Sequence, residues 1–189
     1  MNRRAALEKT TWMLTSAIFA PSILSALQSC KQKTQGVKDL LVLSADQNNL
    51  VVAIADTIIP RTETVSASDV QVNEFIDLLL QDVFDEQVKQ AFLNGLSEFD
   101  NESKNVTGKS FVQLSGKDRH NYLKKVDEGI MGKVYQDKVP FYYTFKQLTL
   151  KTYFSSEKGV KQNLEYVPIP GSYQADIDLR EGSKRMVGN

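Results

Sequence analysis

PFYYTFKQLTLKTYFSSEKGVKQNLEYVPIPGSY, residues Pro140 to Tyr173, is the stretch on which the fold turns. It holds Phe141, Tyr142, Tyr143, Phe145, Tyr153, Phe154, Tyr166 and Tyr173, half of the chain's Phe and Tyr residues, so much of the aromatic surface has to be covered here. A helical period puts Phe141, Phe145, Leu148 and Thr152 on one face. Tyr142, Leu150, Tyr153 and Phe154 fall elsewhere around the axis. A helix apolar on more than one side must be covered on more than one side. The segment is therefore either the central helix of a helical domain or a helix shared between the domain and a partner. It closes on Val167-Pro168-Ile169-Pro170-Gly171, where two prolines fix the backbone in an extended exit.

Working back from this segment, the periodicity predicts helices and short connections. Ser44 or Asp46 can cap a helix carrying Leu50, Val51, Ile54, Ile58 and Ile59, which Pro60 ends. A polar turn over 64–69 leads to a helix from Val72 with a stripe of Phe75, Ile76, Leu79, Leu80 and Val83. Val88, Phe92, Leu96 and Phe99 mark the next helix, and residues 100–109, DNESKNVTGK, read as a loop. Ser115-Gly116-Lys117-Asp118 has the form of a capping box with Asp in the fourth place. The helix after it shows Tyr122, Leu123, Val126 and Ile130, and Gly129 and Gly132 break it. The pattern gives an all-α fold: a single compact domain of about five helices with no sheet. The expected layout is an export signal over 1–30, a linker over 31–43, the helical domain over 44–173 and a C-terminal tail over 174–189.

The composition excludes several functions. Among 189 residues there is one Cys, Cys30, and one His, His120. No intrachain disulfide, no Cys/His zinc site and no c-type haem attachment can be built from that supply. No glycine-rich phosphate cradle is present. His120 has no orienting partner legible in the sequence, which general-base chemistry requires. The formal net charge is +0, so there is no electrostatic case for nucleic acid.

The N-terminus reads as an address. Arg3 and Arg4 precede a mild apolar run from about Thr11 to Leu27, interrupted by Pro21 and by hydroxyls. That is an export signal rather than a membrane span. The paired arginines resemble a twin-arginine signal; a general secretory signal is the alternative. Cys30, after Leu27-Gln28-Ser29, resembles a lipoprotein cleavage site at which the Cys becomes the acylated first residue, with an ordinary unpaired Cys as the alternative. The chain is expected to be exported to the periplasm, with Cys30 as its membrane anchor if it is lipidated.

Several blocks together resemble the subunit 3 family of gluconate 2-dehydrogenase. They are Ala55-Asp56-Thr57-Ile58-Ile59-Pro60-Arg61-Thr62, Val72-Asn73-Glu74-Phe75-Ile76-Asp77 and Phe92-Leu93-Asn94-Gly95-Leu96. Further along come Phe145 to Leu150, Tyr153 to Gly159, and Leu164-Glu165-Tyr166-Val167-Pro168-Ile169-Pro170-Gly171. The resemblance implies a small, cofactor-free partner of a large flavin-dependent sugar or sugar-acid dehydrogenase of the glucose-methanol-choline class. FAD would reside in that partner, and haem c in a cytochrome c subunit that often completes such complexes. It also implies that the small subunit takes the folded flavoprotein through export. It carries over no catalytic, cofactor-binding or metal-binding residue. Its motif positions Pro60, Arg61, Tyr153, Ser156, Gly159, Tyr166, Pro168, Pro170 and Gly171 are expected at the partner interface. Two other readings stand beside it: a free-standing lipid-anchored periplasmic helical binding module, and an enzyme using acids and tyrosines alone.

Overall fold

A computed structural model describes residues 40–130, 132, 133, 135, 139–167, 169, 171, 182, 184, 186 and 187. Arg3, Arg4, Cys30 and residues 31–39 lie outside the described residues, and so do Pro168 and Pro170. Residues 40–189 form one compact unit. It is all-α, with six α-helices among the described residues: α1 (Ala45–Ile58), α2 (Val72–Asp82), α3 (Glu86–Thr107), α4 (Gly116–Ile130), α5 (Phe141–Ser155) and α6 (Glu157–Asn163). Short 3-10 turns at Ser68–Val70 and Phe111–Gln113 lead into α2 and α4. Two short strands, β1 (Glu165–Tyr166) and β2 (Met186–Val187), pair in parallel, with Glu165 opposite Met186. This ladder ties part of the 174–189 tail back to the exit from α6.

α5 is the central helix. It packs on α1, α2, α3, α4 and α6. Its buried residues are Tyr142, Phe145, Thr149, Thr152 and Tyr153, with Phe141 and Leu148 half-buried beside them. The side expected from periodicity is thus widened by the Tyr142, Thr149 and Tyr153 positions, because α5 is covered from several directions at once. Its aromatic end joins a cluster from α3 and α4. The Phe99 ring lies 5.4 Å from Phe111 and 5.6 Å from Tyr122, edge-on to both, and stacks 6.2 Å from Tyr142. Edge-on and offset arrangements are the ones aromatic quadrupoles favour. Gly95 lets this happen: a Cβ there would overlap the Phe141 ring. Asp127 ties α4 to α5 through Lys146 Nζ at 2.6 Å. Burial, and then the neighbouring Asp127, push the Tyr142 hydroxyl well above its ordinary range.

The helix ends follow their local chemistry. Ser44 accepts from the Gln47 amide while the Gln47 side chain accepts from the Ser44 amide, a full capping box. At α4 the Ser115 hydroxyl accepts from the Asp118 amide at 3.2 Å and donates to the Asp118 carboxylate at 2.7 Å, so the box is only half made. The second expected breaker, Gly132, is the effective one. It adopts the left-handed φ of 79°, whereas Gly129 stays inside α4.

Four expectations are corrected. Residues 100–107, expected as a loop, continue α3. Ser103 is fully buried and extends the Phe92–Leu96–Phe99 stripe, Lys104 pairs with Asp100 at 2.7 Å one turn back, and Gly108, at φ 77°, ends the helix. Val83, expected in the α2 stripe, is exposed because α2 has already ended at Asp82. The sixth helix arises because Ser156 leaves helical geometry, with φ −81° and ψ 144°, and caps a new one. Residues 40–43, grouped with the linker by composition, belong to the fold. Leu43 is in the core, and the Leu41, Val42 and Leu43 amides all donate to the buried Asp77 carboxylate at 2.6–3.0 Å.

Candidate partner-docking surface

The chain between α1 and α2 is held by acids. α1 stops where Ile59, the residue before Pro60, leaves helical geometry at φ −126° and ψ 83°, since sterics before proline disfavour the helical region. Asp56, still on α1, accepts from both the amide and the hydroxyl of Ser68 at 2.8 Å and so anchors the far end of the loop. Asp69 accepts from the Ser66 amide and hydroxyl and pairs with the Arg61 guanidinium. The Ser66 amide bond, with help from the Ser66 hydroxyl and Arg61 and against a small burial penalty, holds the Asp69 carboxyl below its usual range. A lowered carboxyl stabilises the fold above the usual carboxylate range and loses that contribution as pH falls through its own lowered value. Arg61 meets a carboxylate within the domain, and its side chain remains 69% exposed. An ion pair that open contributes little to stability, so Arg61 is not needed to hold the loop.

From the other side the same loop is gripped by α5 and α6. The Tyr153 hydroxyl donates to the Val65 carbonyl at 2.8 Å and accepts from the Asn163 side-chain amide at 3.0 Å. The Val65 amide in turn donates to the Gln162 side-chain oxygen at 2.8 Å. Both polar groups of one peptide residue are therefore satisfied by residues 88 and 97 positions away. By this route the loop that follows Pro60 and Arg61 is held against α5 and α6.

This geometry sorts the expected interface residues. Tyr153 is 1% exposed and belongs to the core, with its hydroxyl used internally. Gly159 is buried in the first turn of α6, where a Cβ would overlap the Tyr153 carbonyl. Ser156 is the α6 cap: its oxygen accepts from the Gly159 amide at 3.0 Å and donates to the Tyr153 carbonyl at 2.7 Å. Tyr153 and Gly159, both buried, act as internal supports, and the half-buried Ser156 caps α6. Pro60, Arg61, Tyr166 and Gly171 are on the surface. Tyr166 is 45% exposed, and Ile169, which the sequence did not single out, is 85% exposed. The residues missed are Asp56, Asp69, Gln162 and Asn163. Each acts through a hydrogen bond to a residue that no periodicity connects with it.

Among the described residues no group of three or more His, Cys, Asp or Glu side chains could hold a metal ion. His120 is exposed on the first turn of α4. No helix among the described residues is long and apolar enough to cross a membrane.

No curated protein and no solved structure matches the chain. Residues 45–171, more than half of its length, match the family model described as gluconate 2-dehydrogenase subunit 3, a match that takes in all six described helices. The chain belongs to the gluconate 2-dehydrogenase subunit 3 family, and as a dehydrogenase subunit it has a catalytic subunit for a partner.

Proposed function

We propose that the chain is the cofactor-free accessory subunit of an exported flavin-dependent dehydrogenase of the glucose-methanol-choline type, acting on a sugar or sugar acid. In this reading the large subunit carries FAD, and a cytochrome c subunit with haem c completes the electron path. The small subunit aids the flavoprotein's export, maturation and stability. The observation that carries the reading is the family match across 45–171, in a fold that leaves Pro60, Arg61, Tyr166 and Gly171 exposed.

Tyr166 is the proposed anchor. A half-exposed tyrosine offers a large contact area for few rotatable bonds, and such residues dominate binding energy when an interface covers them. Tyr166→Ala is expected to weaken association with the flavoprotein by on the order of 1–3 kcal/mol while leaving the melting temperature of the small subunit unchanged. The check is co-purification through a tag on the small subunit, read by flavin absorbance, beside a thermal melt. Unchanged flavoprotein recovery would remove Tyr166 from the interface, and no flavoprotein with the unaltered chain would remove the reading.

Export is proposed to use the twin-arginine route, with Cys30 acylated in the mature protein. Changing Arg3 and Arg4 together to Lys is expected to leave both subunits in the cytoplasm on fractionation. Undiminished export of the pair would exclude this route. Intact mass of membrane-extracted protein should show a lipid on Cys30, and a bare N-terminus elsewhere would exclude it.

A further inference from the structure

A groove of about 710 Å³ runs along α3 on the side facing the end of α4 and the start of α5. Its floor is apolar, with Phe92, Phe99, Phe141 and Leu148, and Val88 and Val139 stand exposed at its margin. The α3 wall is one continuous helical stripe from Val88 to Glu102. At the helical rise that is a length of about 20 Å, the span of a helix of roughly four turns. The groove is partly open to solvent, and at this length it suits one face of a helix.

Its charge is one-sided. Among the described residues, the charged side chains lining it are Glu98 and Glu102, one turn apart on α3 and both exposed. Neither has an ion-pair partner among the described residues, although the nearby Asp100 and Asp127 are each paired with a lysine. Like charges at this spacing repel each other, an unfavourable contact that a cation from outside would relieve. An apolar trough with two exposed carboxylates at one end is complementary to an amphipathic helix with an apolar face and a lysine or arginine near one end.

We propose that this groove receives a basic amphipathic helical segment of the catalytic subunit, a second docking site apart from the Pro60–Tyr166 surface. The proposal rests on the accessory-subunit reading and names the chemistry of the partner segment. Ala91 is exposed and lines the groove, so a photo-crosslinking residue there reports the occupant. In the purified complex, irradiation is expected to join Ala91 to an apolar segment of the flavoprotein that bears Lys or Arg. The double variant Glu98→Lys/Glu102→Lys, and separately Val88→Asp, are expected to lower recovery of the flavoprotein about tenfold. All these positions are exposed, and an unchanged thermal melt verifies that the variants fold. A crosslink to an acidic segment, to a second copy of the chain or to nothing overturns the proposal. So does full recovery of the flavoprotein with folded groove variants, a result that leaves the accessory reading standing. Absence of flavoprotein with the unaltered chain overturns both.

Discussion

Phe145→Ala is expected to lower the folding stability of the small subunit by about 3–5 kcal/mol, a large part of the roughly 5–15 kcal/mol typical of a domain. Phe145 is 0% exposed, in the second turn of the helix that touches all the other described helices. Its ring stacks 6.1 Å from Phe92 and lies 5.7 Å from Phe141. Truncation loses the transfer energy of the ring and leaves a void. How much that void costs depends on how far the surroundings can close. Here they close little, because α5 is buttressed by α1, α2, α3 and α4 and cannot approach one without leaving another. Urea titration of the isolated subunit is the measurement, with a fall in melting temperature of roughly 10 °C or more as its companion. A loss below about 1 kcal/mol would mean that α5 is not the central support described here. The contrast with Tyr166→Ala is part of the expectation, since the first change acts on folding and the second on association.

The same contrast marks how far the sequence could be read. α5 was legible as the central element because aromatic residues occur on several of its sides, and only a helix covered from several sides can carry them. Pro60, Gly132, a cap at Ser44 or Asp46 and the Ser115–Asp118 pair were legible because each acts within four residues of its place in the chain. Tyr153 was not. Its phenol, next to exposed Phe154, has the composition of a contact residue, and only the carbonyl of Val65, 88 positions away, makes it internal. Gly159 misled for a related reason: a helix-initiating glycine and a partner-contact glycine look alike until the Tyr153 carbonyl is seen against it. Residues 100–107 were mistaken for a loop because their composition is polar, although Gly108 supplied the true stop four residues after Lys104. The surface acids at Glu98 and Glu102 lie at helical spacing, but their isolation could not be inferred without the groove beside them.

Asp77→Ala is expected to cost about 2–4 kcal/mol of folding stability. Asp77 is a charged residue at a buried position on α2, and such a position is tolerable only when the carboxylate is fully hydrogen-bonded. It is: Oδ2 accepts from the Leu41 amide at 2.6 Å, and Oδ1 from Val42 at 3.0 Å and Leu43 at 2.8 Å. Three successive amides thus converge on one side chain and fold residues 40–43 onto α2 ahead of the Ser44 cap. Removing the carboxylate frees the Leu41 and Val42 amides to find water, because both residues are at least partly exposed. The Leu43 amide cannot do so, since its residue is buried, and that stranded donor is the main cost. Asp77→Asn is expected to fall between the parent and Ala. One amide oxygen can still accept, but the NH2 that replaces the other oxygen meets backbone N–H groups that need an acceptor. The decisive readout is local. Amide hydrogen exchange at residues 41–43 should accelerate more than at Phe145 or Leu96 in both variants, because the 40–43 segment loosens while the helical core stays paired. Should exchange at 41–43 remain as slow as in the parent, the carboxylate would not be what holds the segment.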